Sequence, residues 1–430
     1  MTFEQAMKQL GTLQRFGSPG AVERVAWILN HFDAPQNKLR FVHVTGTNGK
    51  GSTCAMVSAV LREAGYVTGM FISPYIIEFR ERIQVDGKMI PKEQFASLME
   101  QVFPLVEQIQ ATGVYMSEFE LVTVLAILWF YRQKCDLVVF EVGVGGKRDS
   151  TNVVTNVEVS VITSVSLDHT EILGDTIAQI TRDKCGIMKP YGTMVVAPCQ
   201  TEEAMAVITE EAEKRQNRLV VASVDDVKLL HADLYGSDFL YQQQKLHVPL
   251  IGLHQQINTA TALAVIEVLK QKGFAVELKH ITDGLEKVQL SARWEIVHHV
   301  PLIIIDGAHN QSGISAFKQS ICRYLAGRRI IGIMGALRDK DVKDMIQVLN
   351  NVFAHVVTIT PKNPRAMQAQ LLAQYWMDAG EQATAVASTE EALAYAVQLA
   401  GENDVILVFG SLFVAAEIRE KIKYQFMEKQ

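Results

Sequence analysis

Leu39-Arg-Phe-Val-His-Val-Thr-Gly-Thr-Asn-Gly-Lys-Gly-Ser-Thr53 carries the reading of the fold. Leu39–Val44 is a strand-type run, a glycine-rich turn follows, and a helical period begins near Lys50 and continues through Cys54–Ala64. Strand, glycine turn and helix, in that order, make a cradle for phosphate. The glycines let the backbone turn through φ > 0 and aim several N–H groups at one point, and the helix N-terminus adds about half a positive charge. Lys50 supplies a mobile cation, and Ser52 or Thr53 places a hydroxyl where a phosphate-bound Mg²⁺ would sit. The usual G-x-x-x-x-G-K-[ST] spacing is not met, because Val44 stands in the first glycine's place and Gly51 separates Lys50 from Ser52. Gly46 and Gly49 alone would fit an ordinary tight turn. Lys50, Ser52 and the flanking strand and helix turn the reading toward nucleotide phosphate.

From residue 39 onward, short β-branched runs alternate with helical segments, the rhythm of a parallel sheet covered by helices. The fold class is α/β. Strands are expected at Leu39–Val44, Val67–Ile72, Asp136–Glu141, Val157–Thr163 and Met194–Ala197, with helices starting near Lys50, Pro91, Ser117 and Glu202. Ser117 with Glu120 three residues on forms a capping box before the apolar helix Leu121–Arg132. Ala222–Pro249 changes to short alternating pieces that predict a small antiparallel sheet. Helical period returns over Gln255–Gly273 and Leu278–Val288, and a second alternation after Arg293 has strands at Pro301–Asp306, Arg329–Met334, His355–Thr360 and Asp404–Phe409. The expectation is an N-terminal P-loop domain over 1–295, with a mostly parallel sheet plus the small antiparallel one, and a C-terminal Rossmann-like α/β domain over 296–430. The boundary falls near 290–300 without a Pro/Gly/Ser linker.

Composition removes several classes. A chain of 430 residues, 48% hydrophobic and 20% charged, holds two or three folded domains of about 150 residues rather than a disordered segment. Forty-one basic against 47 acidic residues give −6, with no like-charge run to track a phosphate backbone, so no nucleic-acid partner is expected. Five scattered cysteines form neither a zinc nor a disulfide pattern and fit a reducing cytosol. The N-terminus does not read as a secretory signal, and the longest apolar run, Leu121–Tyr131, is too short to span a bilayer. A cytoplasmic monomer without membrane contact is expected.

Thr45-Gly-Thr-Asn-Gly-Lys-Gly-Ser52 resembles the loop of the folylpolyglutamate and dihydrofolate synthases, relatives of the Mur ligases, and the extra Gly51 favours the folate branch. Val139-Phe-Glu-Val-Gly-Val-Gly-Gly-Lys-Arg-Asp-Ser-Thr-Asn-Val-Val154 is similar to that family's second signature. Ser166-Leu-Asp-His169, Asp183-Lys-Cys-Gly-Ile187, Asp306-Gly-Ala-His-Asn310 and Gly410-Ser-Leu-Phe413 extend the match over nearly the whole chain. The resemblance implies ATP- and Mg²⁺-dependent addition of L-glutamate to a folate, to dihydropteroate, or to both. Carboxylates are poor electrophiles, and ATP overcomes this by making an acyl phosphate that an uncharged amine attacks. Such chemistry asks the protein for positioning and charge neutralisation more than for a nucleophile.

Residue roles divide by source. Glu141 ends an apolar strand before a glycine-rich loop, where it reads equally as a Mg²⁺ ligand or a surface acid. His169 follows a strand in a similar place and by itself reads as structural. The resemblance implies that Ser52, Ser73, Glu141 and His169 hold Mg²⁺ and that Lys184, which helical position alone would leave on a solvated face, is carbamylated. By the same resemblance, Thr47, Asn48, Gly49, Lys50, Gly51, Ser52, Asn258, Arg293, Asp306 and His309 contact ATP, with Asp306, at a strand end, fitting either a ribose or a glutamate contact. Ser117, Glu118, Phe119, Glu120, Arg148, Asp149 and Ser150 align with pteroate-binding segments, and Tyr75 or Phe79 would suit a flat ring beside Arg80 and Arg82. Ser117 and Glu120 are already explained by the cap, and Asp306 reads equally as a turn aspartate before Gly307. Ser291-Ala292 replaces the family's frequent Pro-Gly before Arg293. Two rivals stand beside this reading, a Mur-type ligase acting on a nucleotide-linked peptide and a non-catalytic nucleotide switch. The guanine pattern N-K-x-D is not met, since Asn37-Lys-Leu-Arg40 ends in arginine.

Overall fold

The structure, a computed structural model, describes residues 1–14 and 17–422. The chain forms two compact units. The first comprises Met1–Leu229, Phe239–Val248 and Gln256–Val288, and the second Leu230–Asp238, Pro249–Gln255 and the chain from Gln289 onward.

The first unit is built on eight strands, β1 Phe41–Thr45, β2 Thr68–Phe71, β3 Ile83–Val85, β4 Lys88–Met89, β5 Leu137–Glu141, β6 Val157–Ile162, β7 Thr193–Val196 and β8 Arg218–Val221. Their order is β4-β3-β2-β5-β1-β6-β7-β8. Only the β2/β3 and β3/β4 pairs are antiparallel. β1 lies between β5 and β6, and all five of its residues are buried. The helix Glu118–Arg132 starts at the Ser117 capping box, with both reciprocal bonds made. Leu121 through Phe130 are buried all round, as expected of a helix without a polar face. The helix Leu278–Glu286 runs so close to Lys50–Glu63 that a Cβ on Gly284 would lie 2.6 Å from the Val60 Cα.

Three further strands, β9 Lys228–Asp233, β10 Gly236–Tyr241 and β11 Gln244–Val248, form a sheet of order β11-β10-β9. Their two-residue connections are those that join antiparallel neighbours. The second unit carries β12 Glu295–His299, β13 Leu302–Ile305, β14 Ile330–Met334, β15 His355–Thr358, β16 Ala383–Ala385 and β17 Val405–Phe409, ordered β12-β13-β17-β14-β15-β16. All neighbours pair parallel except β12 with β13.

The strands that the sequence pattern misses are β3, β4, β8, β12 and β16, each at or beside a sheet edge. Interior parallel strands are covered on both faces and read as apolar runs, whereas edge strands such as β8 and β16 are half-exposed and mix in polar residues. The helices Phe3–Leu10 and Ala21–Asn30 precede the first expected strand and were also outside the expected elements.

Candidate active site

In a parallel sheet, ligands bind beyond the carboxyl ends of the strands, where the loops diverge. In the first unit the candidate residues follow such ends: Gly46–Ser52 after β1, Ser73 after β2, Glu141 at the end of β5 and His169 after β6. A small pocket there is lined by Gly46, Thr47, Lys50, Val142–Gly145, Asp168, His169, Leu173 and Lys184.

The glycine turn is held from both sides. Gly46 has φ +150° and a Cβ would fall 1.7 Å from the Thr163 Oγ1; Gly49 has φ +88° and a Cβ would fall 2.3 Å from the Asn258 Oδ1. Only glycine satisfies both demands at these positions. The Thr47 N–H donates to the Ser164 carbonyl (2.7 Å) and the Ser164 hydroxyl to the Asn48 carbonyl (3.1 Å), so the loop after β6 pins the phosphate loop. Gly49 caps the helix Lys50–Glu63, whose first turn holds Gly51, Ser52 and Thr53.

Lys50 Nζ donates to the Gly46 (3.1 Å) and Thr47 (3.2 Å) carbonyls. Lys184 Nζ donates to the same Gly46 carbonyl at 2.8 Å. The expectation that helical position leaves Lys184 on a solvated face is wrong: it ends the helix Ile177–Lys184 and is only 3% exposed. The hydrophobic face that buries Ile180 carries the lysine inward four residues later. Burial, followed by the charge of Lys50, brings its ammonium down to about 7, against the pull of Asp168, Asp183 and Asp149. Near neutrality this amine is divided between its charged and uncharged forms.

Glu141 is buried and its Oε2 accepts the Ser73 N–H at 2.9 Å, so the acid and Ser73 are neighbours. Among the described residues no group of three His, Cys, Asp or Glu side chains is placed to hold a metal. Mg²⁺ does not need one, because it takes oxygen donors and usually only one or two carboxylates, with water and substrate phosphate completing the shell. The oxygen donors of Ser52, Ser73 and Glu141 fit that ion. His169, at φ +50° and beside Lys184 in the pocket lining, would add a nitrogen.

Residues 44–266 match the Mur ligase middle domain and 292–412 the Mur ligase glutamate ligase domain. The chain is 35% identical over 427 residues to a dihydrofolate synthase/folylpolyglutamate synthase of Bacillus subtilis, covering 95% of this chain and 96% of that one. It is 34% identical over 436 residues to a folylpolyglutamate synthase of Lacticaseibacillus casei, covering 98% and 99%. The chain belongs to the folylpolyglutamate synthase family of the Mur ligase superfamily. The folylpolyglutamate synthase of Mycobacterium tuberculosis, solved in complexes with ADP and AMPPCP, superposes with a TM-score of 0.89 at 28% identity over 98% of this chain and 99% of that one.

For this folylpolyglutamate synthase relative, the second group of candidates divides into open and occupied side chains. Both Glu120 oxygens take Arg24, Nε to Oε2 at 2.8 Å and Nη2 to Oε1 at 3.0 Å, and Oε1 also accepts the Ser117 hydroxyl at 2.9 Å. Arg24 continues to the Ser18 and Pro19 carbonyls, so this buried pair fastens the segment before the helix Ala21–Asn30. Sequence reasoning missed Arg24, which no local spacing marks. Ser150 is buried against the Thr123 hydroxyl at 2.9 Å, while Arg148 is exposed. Asp149 is buried, with the Val144 N–H on Oδ2 and the Thr151 N–H and hydroxyl on Oδ1. Burial raises its carboxyl above the usual range, opposed by those hydrogen bonds. Half-buried Phe119 packs 5.7 Å from the Phe71 ring and against Gly143. Glu118 pairs with Arg82 at 3.4 Å, and the Arg82 guanidinium lies over the rings of Phe79 (4.9 Å) and Tyr75 (5.2 Å).

Asp183, also missed, accepts the Gly146 N–H at 2.9 Å from the residue next to Lys184. In the second unit, Asp306 accepts the Trp294 N–H at 3.0 Å and the Ala308 N–H at 2.7 Å, the geometry of a structural turn aspartate after β13. Burial raises its carboxyl and the charge of Arg293 opposes the rise. His309 Nδ1 donates to the Gly307 carbonyl at 2.7 Å, which orients its ring.

Proposed function

We propose that this protein is an ATP-dependent ligase that joins L-glutamate to the carboxylate of a folate, and that the crevice beyond β1, β5 and β6 is where phosphate is handled. The single observation that carries the reading is the convergence of Lys50 and Lys184 on the Gly46 carbonyl, at the mouth of a glycine turn that opens a helix. The Lys50 amine and a helix N-terminus meet at one point, with the Lys184 amine buried beside them, and a polyanion is the ligand that such a point stabilises.

Lys50 neutralises the transferred phosphoryl group and keeps it in line with the acceptor carboxylate. Mg²⁺, held by Ser52, Ser73, Glu141 and His169, would add charge neutralisation at the phosphates. Thr47, Asn48 and Gly51 present the loop, and Asn258, against Gly49, limits the nucleotide's position from the helix Gln255–Gln271. Arg293 and His309 are proposed as nucleotide contacts of the second unit. The exposed or half-buried Glu118, Phe119 and Arg148 remain candidates to touch the pteroate, while Ser117, Glu120, Asp149 and Asp306 act by holding backbone and Ser150 by its bond to the Thr123 hydroxyl.

Lys184 is proposed to carry a carbamate. The reaction joins an uncharged amine to CO₂, with loss of one amine proton and formation of an N–C bond. The lowered proton affinity of Lys184 supplies the uncharged amine near pH 7. The product replaces a cation with an anion close to Lys50, which removes their mutual repulsion.

No helix among the described residues is long and apolar enough to cross a membrane, and a cytoplasmic monomer remains part of the proposal. Mass spectrometry of the products from dihydropteroate and from tetrahydrofolate, each with ATP and L-glutamate, tests the function. A gain of one or more glutamyl units on either acceptor is expected. Tight ATP binding with neither acceptor extended, and no phosphate released, would return the chain to a nucleotide switch.

A further inference from the structure

His43 lies in the middle of β1, three residues before Gly46, with no exposed surface. Its Nε2 is 2.9 Å from the Thr151 Oγ1. The Thr151 hydroxyl gives its own proton to the Asp149 Oδ1, so the Thr151 oxygen can only accept from His43, and the ring proton must sit on Nε2. Nδ1 is then bare, and it has no hydrogen-bond partner. Burial, with the nearby charge of Lys189, keeps the ring neutral by pushing its proton affinity well below the usual histidine range. The donors therefore run one way, from His43 to Thr151 to Asp149. At the far end, Asp149 Oδ2 holds the Val144 N–H at 2.9 Å. A Cβ on Gly143 would be 2.6 Å from the Phe119 ring and 3.1 Å from Asp149 Oδ2, so this wall has little slack. Gly143 and Val144 line the same pocket as Lys50 and Lys184, and none of the pocket atoms belongs to His43.

We propose that His43 is a positioning residue for the ligase reaction, fixing Asp149 through Thr151 so that the Gly143–Val144 backbone keeps its place in the pocket wall. The inference rests on the ligase reading given above. It differs from the role of a core histidine that merely fills space, because the part that matters is the Nε2–H and its direction.

The test compares His43→Leu, which keeps bulk without a donor, with His43→Gln, which returns an N–H at similar reach, alongside Thr151→Val and the double variant His43→Leu/Thr151→Val. Hydrogen exchange of the segment 142–147, followed by mass spectrometry, reads the wall without requiring turnover. In His43→Leu that segment should exchange about tenfold faster or more while the rest of the sheet is unchanged. Its kcat should fall about tenfold with a smaller change in KM, and His43→Gln should recover to within about threefold of the parent. The double variant should be no worse than the worse single variant, since both break one chain of contacts. Parental exchange and kcat in a folded His43→Leu protein, equal damage by Leu and Gln, or multiplied effects in the double variant would overturn the proposal. If His43→Leu does not fold, Thr151→Val gives the same reading by removing the middle contact. If the parent itself adds no glutamate, the ligase reading has failed, and the exchange arm still decides whether the relay holds the wall.

Discussion

Lys50 and Lys184 place their ammonium groups on one acceptor, the Gly46 carbonyl, from two very different settings. Lys50 opens a helix from a glycine loop, half-buried, with its Nζ on the loop's own Gly46 and Thr47 carbonyls. Lys184 closes a helix and is buried, and its charge is disfavoured by desolvation and then by Lys50 itself. Burial makes the Lys184 amine the convertible one of the two. The same side chain does opposite electrostatic work depending on how much water it keeps.

Removing each amine in turn separates these roles. Lys50→Ala should lose about 10³-fold in kcat, because it deletes a cation at the transferred phosphoryl group, with thermal unfolding shifted by no more than about 2 °C. Near-normal turnover in steady-state assays would show that the loop cation is dispensable. Lys184→Ala should lose about 10²-fold, and added formate or acetate should restore part of that by occupying the vacated anionic place, with no rescue of Lys50→Ala. Equal rescue of both variants, or of neither, would remove the contrast.

Glu141→Ala supplies an acid control for the two lysines. The Mg²⁺ concentration for half-maximal turnover should rise about tenfold, and an unchanged metal titration would take Glu141 out of the metal's surroundings. The smallest effect concerns stability. Between about pH 7 and the ordinary lysine value of 10.5 the unfolded chain holds a proton that folded Lys184 has released. Stability contributed by this residue therefore rises with pH across that window and is lost as pH falls through it. Relative to Lys184→Met in CO₂-free buffer, the parent should gain on the order of a few kcal/mol at most from pH 7 to pH 10 in denaturant titrations. A flat difference would mean that Lys184 is not desolvated.

The same contrast explains what could be read from the chain alone. The phosphate loop is local: strand, glycines, lysine and helix follow one another, and both Gly46 and Gly49 have a steric reason to be glycine. The interior strands β1, β5, β13, β14 and β17 are local in the same sense, since burial on both faces leaves continuous apolar runs. Edge strands were not legible because half of each faces water. Burial of Lys184 depends on the Gly46 carbonyl, 138 residues away in sequence, and helical period alone pointed to solvent. The seven pteroate candidates came from family resemblance, which places segments but does not say which carboxylates are already taken. Glu120 is occupied by Arg24 from 96 residues away, and Asp149 by Val144 and Thr151. Side-chain partners across such distances are a property of packing and leave no spacing to find.

Everything proposed for Lys50 and Lys184 assumes that phosphate passes from ATP to the acceptor carboxylate before glutamate attacks. Acceptor labelled with ¹⁸O in its terminal carboxylate, incubated with ATP, Mg²⁺ and L-glutamate, tests this most directly through mass spectrometry of the inorganic phosphate released. An acyl phosphate transfers one carboxylate oxygen, so one ¹⁸O should appear in phosphate for the first glutamate added to each labelled acceptor. Glutamate addition with unlabelled phosphate would contradict it and leave the two lysines in need of another purpose.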